Sequence, residues 1–275
     1  MHQQQDKANI PTYQLGQVKF AVTNCDELLE QELRSCLPIC RVATAENTTF
    51  YDAKSDSIKN IVDLINHIHK RHEGTLWILG AGIVSPSGRK LLIAGPSHTG
   101  KSTTAMALVF GFGWKVLSED ITHIDITENE IINFASPFAV KRGTLSSIQN
   151  ALKAFDKTLD LSSFDTSSVK PTCWAPLENA STGCNLSTPF DHAVVFEQFD
   201  DHDLRCDHLT SLDYMRALLP ISNIARLSQV SNKFYNYVAE DSCYRLAGGN
   251  LKQRLDRIIQ LCDEPAVRDK QNELS

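Results

Sequence analysis

The chain has 275 residues, 42% hydrophobic and 22% charged, a composition that suits a folded globular protein with one large α/β domain and room for a small N-terminal module. A formal net charge of −6 and the lack of any Lys/Arg-rich run argue against a general nucleic-acid binder. No run of about 18 apolar residues is present to span a bilayer, and the polar opening MHQQQDK lacks the apolar stretch of a secretory signal, so a cytoplasmic protein with a frayed start is expected.

In the N-terminal part, Val18, Phe20 and Val22 alternate with Lys19 and Ala21, which reads as a strand. Asp26 can cap a helix that runs through Arg34, with Leu28, Leu29 and Leu33 as its apolar stripe. Val42 to Tyr51 reads as a second strand. Ser55 to His72 reads as an amphipathic helix, with Ile58, Ile61, Val62, Ile65 and Ile68 at helical spacing. His67, His69 and His72 crowd its end, but only His69 and His72 share a face, and a solvated helix end is expected rather than a metal site. The eight cysteines are scattered without a C-x-x-C pair, which points to free thiols and no zinc. Residues 1–72 carry no evident chemistry and are expected to form a small α+β layer against the remainder.

Thr75 to Val84 reads as an apolar strand, and Ser85 to Arg89 as a turn into a second strand beside it, Leu91 to Ala94. That second strand runs into Gly95-Pro-Ser-His-Thr-Gly100-Lys101-Ser102, which matches the P-loop pattern G-x-x-x-x-G-K-[ST] at every fixed position. Strand before and helix after are the context the motif requires. Gly95, Ser97, His98, Thr99, Gly100, Lys101, Ser102 and Thr103 are therefore candidate nucleotide-binding residues. Their N–H groups would point at phosphate oxygens, Lys101 would reach the β/γ-phosphates, and the Ser102 hydroxyl would sit on Mg²⁺. The following helix is expected to end at Gly111-Phe-Gly113, since glycine suits a left-handed C-cap.

Trp114 to Ser118 reads as a strand that delivers Glu119-Asp120 at its end. Phosphoryl transfer needs a metal ligand and a base for the attacking hydroxyl, and these two acids are the candidates. Ile121 to Ile126 and Ile131 to Ala135 read as a hairpin. Lys141 and Arg142, expected in a loop after Ser136-Pro137, are candidate clamps for the transferred phosphoryl group or the acceptor. Residues 160–190 lack periodicity and read as a long loop suited to a lid. His192 to Phe199 reads as a strand, Leu212 to Leu219 and Asn232 to Val238 as helices, Tyr244 to Leu246 as a short strand, and Asn250 as the cap of a helix over Leu251 to Leu261. The polar tail 266–275 is expected to be loose.

GPSHTGKSTTAMAL, a glycine-punctuated turn and VLSED, in that order, resemble the HPr kinase/phosphorylase-related kinases over about residues 76–145. The resemblance implies a core like that of phosphoenolpyruvate carboxykinase, a mixed sheet flanked by helices, in a catalytic domain over 73–265. It also implies use of ATP and Mg²⁺ and transfer of the γ-phosphate to a seryl or other hydroxyl of a protein, peptide or small-molecule acceptor. Carried over by position, Lys101 and Ser102 are the phosphate and metal contacts, and Glu119 and Asp120 stand where the family usually has two aspartates. A histidine frequent in the family falls at Gly80 here. Self-association is left open by the sequence. Two other readings stand beside this one. An ordinary P-loop NTPase or small-molecule kinase would have a parallel sheet with the acid-bearing strand next to the P-loop strand, and an ATP sensor would bind without turnover.

Overall fold

The computed structural model of the chain describes residues 10–15, 18–37, 48–71, 75–126, 130–141, 143–160, 172–174, 190–197, 203–227 and 242–263. Its N-terminal strands, β1 (Thr12–Leu15) and β2 (Val18–Thr23), pair antiparallel, and β3 (Thr49–Asp52) joins β2 in parallel. Between β2 and β3 lies α1 (Glu27–Cys36), capped as expected by the Asp26 carboxylate, which accepts from the Leu29 N–H at 2.8 Å. Leu29 and Leu33 are buried, but Leu28 turns outward, so the apolar stripe is narrower than the sequence suggests.

The second helix, α2 (Ile61–Arg71), starts at Ile61 rather than Ser55. Short polar side chains capture the backbone first. Asp52 accepts from the N–H groups of Lys54 and Ser55, Asp56 accepts from the Asp52 N–H, and Ser57 sits at a positive φ of 58°. Asn60 then caps the helix by accepting from the Asp63 N–H, while Glu32 of α1 accepts from the Ile61 N–H. His69 is not a solvated helix end. It is buried, its Nδ1 shares a hydrogen bond of 2.8 Å with His123 Nε2, and its ring meets Phe134 edge-on. His123 Nδ1 in turn lies 2.9 Å from the Thr75 hydroxyl. Burial of an apolar helix face brought His69 inward, where a second histidine pairs with its Nδ1.

The main sheet takes in β4 (Leu76–Val84), β5 (Lys90–Ala94), β6 (Lys115–Ser118), β7 (Ile121–Asp125), β8 (Glu130–Ile132), β11 (His192–Phe196), β12 (Arg205–His208) and β13 (Cys243–Ala247). Its order is β12-β13-β11-β5-β4-β7-β8, with β6 also on β4. β11 is parallel to β5 and β13, whereas β4 is antiparallel to β5, β6 and β7, so the sheet is mixed. Ala139–Lys141, expected in a loop, instead forms a short strand, β9, paired antiparallel with β10 (Thr172–Trp174). Backbone pairing between distant segments creates both strands, which is why local sequence gave no sign of them. Residues 161–171 and 175–189 of the expected lid, the expected helix over 232–238, Arg142 and the 266–275 tail lie outside the described residues.

Helices cover both sheet faces. Along β5, Leu91 and Ile93 join the core formed by α3 (Lys101–Phe112), α4 (Thr144–Lys153), α6 (Leu251–Asp263) and the N-terminal layer. Leu92 and Ala94 face the other way, into a core with α5 (Ser211–Leu218). Continuous burial of this strand follows from having a partner on each face. α3 ends at Gly113 with φ 73°, the left-handed cap that the sequence predicts. Asn250 and Gln253 cap α6 reciprocally, each side chain accepting from the other's N–H. Among the described residues, no helix is long and apolar enough to cross a membrane.

Candidate functional site

The P-loop is built where β5 leaves the sheet. At Gly95, φ is 151°, and a Cβ would lie 2.6 Å from the Phe196 carbonyl oxygen of β11, so a side chain is excluded by both backbone and neighbour. Pro96 anchors the loop from within: its carbonyl accepts from the Thr99 hydroxyl at 2.9 Å and from Lys101 Nζ at 2.7 Å. His98 is held at a positive φ of 68°. From behind, the buried Arg254 of α6 donates Nη1 to the Thr99 carbonyl at 2.7 Å and Nε to the Gly248 carbonyl at 3.0 Å, with its guanidinium 4.6 Å from the Phe196 ring centre. Sequence reasoning missed Arg254. The available signal was an arginine at a position of the Leu251, Leu255 and Ile258 stripe, where a charge must find buried partners.

The two acids emerge where β4 changes partners. β4 pairs with β7 through Leu76–Leu79 and with β6 from Gly82 onward. Glu119 and Asp120 occupy the gap, with Asp120 at a positive φ of 63° and the Ile121 N–H donating to the Glu119 carbonyl at 2.7 Å. Gly80 is the hinge between the two motifs. Its N–H donates to the Asp120 carbonyl at 2.9 Å on one side, and it stands opposite Ala94, the last residue of β5, on the other. A Cβ on Gly80 would lie 2.5 Å from the Ile93 carbonyl oxygen, so no histidine fits this backbone there. The Ser118 and Thr122 hydroxyls, 2.7 Å apart, serve the interrupted ladder: Ser118 Oγ accepts from the Gly82 N–H, and Thr122 Oγ1 donates to the Gly80 carbonyl.

Loop and acids share one cleft of about 400 Å³. Ser97, His98, Gly100, Lys101, Ser102, Thr103, Glu119 and Asp120 all line it. Gly95 and Thr99 shape the loop without lining the cleft, and Lys141 contributes its backbone to β9. Residues not expected at the site also line the walls, among them Met106 of α3, Asn66 of α2, Ser136 and Pro137, together with Val62 and Ile65, which the sequence placed in an apolar helix stripe. Helical apolar spacing marks Val62 and Ile65 but does not tell which of them turn to the core and which to the cleft.

Glu119 is 6% exposed, and burial lifts its carboxyl from 4.5 to about 7. The neighbouring Ser102 hydroxyl, the Lys101 charge and the Asp120 backbone N–H pull the other way, while the Asp120 charge adds to the rise. Its Oε1 is buried with no hydrogen-bond partner among the described residues. Lys101 is itself shifted down by burial, against the upward pull of Asp120 and Glu119. The Ser102 hydroxyl, the orphaned Glu119 oxygen and the exposed Asp120 carboxylate form a set of hard oxygen donors. Mg²⁺ typically takes one or two carboxylates together with phosphate and water oxygens, so the set fits it. Among the described residues no cluster of three or more His, Cys, Asp or Glu offers a dedicated cage for a metal. No protein-family model matches the chain, and no curated protein matches it significantly.

Proposed function

We propose that this protein is an ATP- and Mg²⁺-dependent phosphotransferase of the HPr-kinase-like type, moving the γ-phosphate to a seryl or other hydroxyl group. The observation that carries the reading is the meeting of Lys101, Ser102 and the buried Glu119 in a single cleft. A P-loop alone would suit any nucleotide binder. A buried carboxylate against the P-loop serine adds the second half of a phosphotransfer site. The mixed sheet supports the carboxykinase-like core over an ordinary P-loop fold. Antiparallel β4 separates the P-loop strand β5 from the acid-bearing strand β6, where the ordinary arrangement needs them adjacent and parallel.

In this reading the loop N–H groups and the α3 N-terminus hold the phosphates, and Lys101 follows charge onto the transferring group. Glu119, against Ser102, stands on the metal side; Asp120, exposed and turned outward, takes the proton of the acceptor hydroxyl. Bound Mg²⁺ would neutralise phosphate charge at Ser102 and the acids. Burial of Lys101 and Glu119 disfavours each charged form taken alone, so both depend on the charges of metal and phosphate, and the low dielectric strengthens those interactions.

The test is phosphate transfer from labelled ATP with Mg²⁺ to hydroxyl-bearing proteins, peptides and free serine, alongside Lys101→Ala and Asp120→Asn. Each variant is expected to lose on the order of 10²-fold or more in turnover. Tight ATP binding without turnover on any acceptor or water, unaltered in Asp120→Asn, would instead identify a nucleotide sensor.

A further inference from the structure

We infer that the cleft-facing side of α2 selects the acceptor, seating an aliphatic group carried next to the hydroxyl that receives the phosphate; this rests on the phosphotransfer reading above. The apolar residues of α2 divide between two faces. Ile61, Leu64 and Ile68 are buried in the core, while Val62, Ile65 and Asn66, at spacing i, i+3 and i+4, face the cleft. Val62 is 47% exposed. A lone exposed valine would need no explanation, but Val62 lines the same cleft as Ile65, Pro137 and the largely buried Met106.

The position of that side of the cleft identifies what it touches. Met106 follows Ser102 by one helical turn and leans back toward it, so it lies on the face of α3 that carries the Ser102–Glu119 contact. The wall therefore borders the acids, where an acceptor hydroxyl must arrive to meet the γ-phosphate. Charge narrows the occupant further. Among the described lining residues, Lys101 is the sole lysine or arginine, against the carboxylates of Glu119 and Asp120. The triphosphate takes Lys101 and bound Mg²⁺ would take Glu119, leaving an anionic acceptor opposite the exposed Asp120 carboxylate and the phosphates themselves. An uncharged seryl peptide segment with an aliphatic neighbour avoids that repulsion and covers Val62 and Ile65, and the Asn66 amide can both donate to and accept from its peptide groups.

The experiment measures binding of two synthetic peptides, acetyl-Gly-Leu-Ser-Leu-Gly-amide and acetyl-Gly-Glu-Ser-Glu-Gly-amide, to the full chain with Mg²⁺ and a non-hydrolysable ATP analogue. Transfer from ATP is then measured on both. The parent is expected to favour the leucine peptide by about tenfold or more in affinity and in kcat/KM. Val62→Asn should remove most of that preference with nucleotide affinity and melting temperature unchanged. Leu28→Asn, on the exposed face of α1 outside the cleft, should leave it intact. Equal binding of the two peptides overturns the inference, as does a Val62→Asn variant that loses nucleotide rather than peptide affinity. Transfer to both peptides alike removes the selecting wall and leaves phosphotransfer standing. Leucine-peptide binding with no transfer removes the phosphotransfer reading, and with it the acceptor role of the wall.

Discussion

Glu119 sets a condition on stability that can be measured without any substrate. Its carboxyl is pushed up to about 7 from an ordinary 4.5, because burial penalises the charged form more than Ser102 and Lys101 relieve it. Between those two values the folded chain holds a proton that the unfolded chain has released. Stability contributed by this group is therefore full below about 4.5, falls as pH rises toward about 7, and stays low above it. The shift corresponds to about 3 kcal/mol at most. In metal-free protein, Glu119→Gln is expected to remove that slope, making the variant more stable than the parent at pH 8 but not at pH 4.5. Urea unfolding at the two pH values gives the comparison, and identical pH slopes in parent and variant would contradict it. At this scale the sequence was legible wherever chemistry is held in consecutive residues, as in Gly95 to Ser102. It was silent on the burial of Glu119, which the folded chain alone reveals.

At the scale of elements, the P-loop is stiffened by a helix that begins about 150 residues further along the chain, and Arg254 is the connection. Two carbonyls, of Thr99 and Gly248, depend on its guanidinium. Replacing it with methionine keeps the apolar contact with Phe196 but leaves both carbonyls short of a donor in a buried setting. Arg254→Met is expected to weaken ATP binding by about tenfold, with a lower melting temperature. Arg254→Lys should restore only part of the affinity, since one ammonium lacks the fixed fork that spans both acceptors. Calorimetric titration with ATP decides this, and unchanged affinity in Arg254→Met would mean that the loop holds its shape alone. Elements with strong local signals were read well: the Asp26 and Asn250 caps, the Gly113 stop and the β4–β5 pair all follow from nearby residues. The early start given to α2 failed because Asp52, Asp56 and Asn60 outcompete helical bonding, an effect that apolar spacing does not register. The pairing of β9 with β10 joins distant segments and leaves no periodic trace in either.

Across the whole molecule, the N-terminal layer and the P-loop region share a core instead of meeting at a polar seam. One buried cluster runs from Tyr13, Phe20 and Leu29 through Ile61 and Ile68 to Met106, Ile148 and Leu255. The His69–His123 hydrogen bond fastens α2 to β7, three residues beyond Asp120. A layer held this way should open together with the sheet, because exposing one side of a continuous core costs the other its burial. Amide hydrogen exchange is expected to give α2 and β4 similar protection in the parent chain. In His69→Ala, α2 should exchange at least about tenfold faster while β5 stays protected, since the change removes the α2 contact to His123 and Phe134 but spares the sheet interior. Early exchange of α2 in the parent, with β4 intact, would show instead that the layer is an independent unit. The wall formed by Val62 and Ile65 would then be mobile relative to Glu119, and acceptor selection by α2 would have to wait on closure of the layer over the cleft.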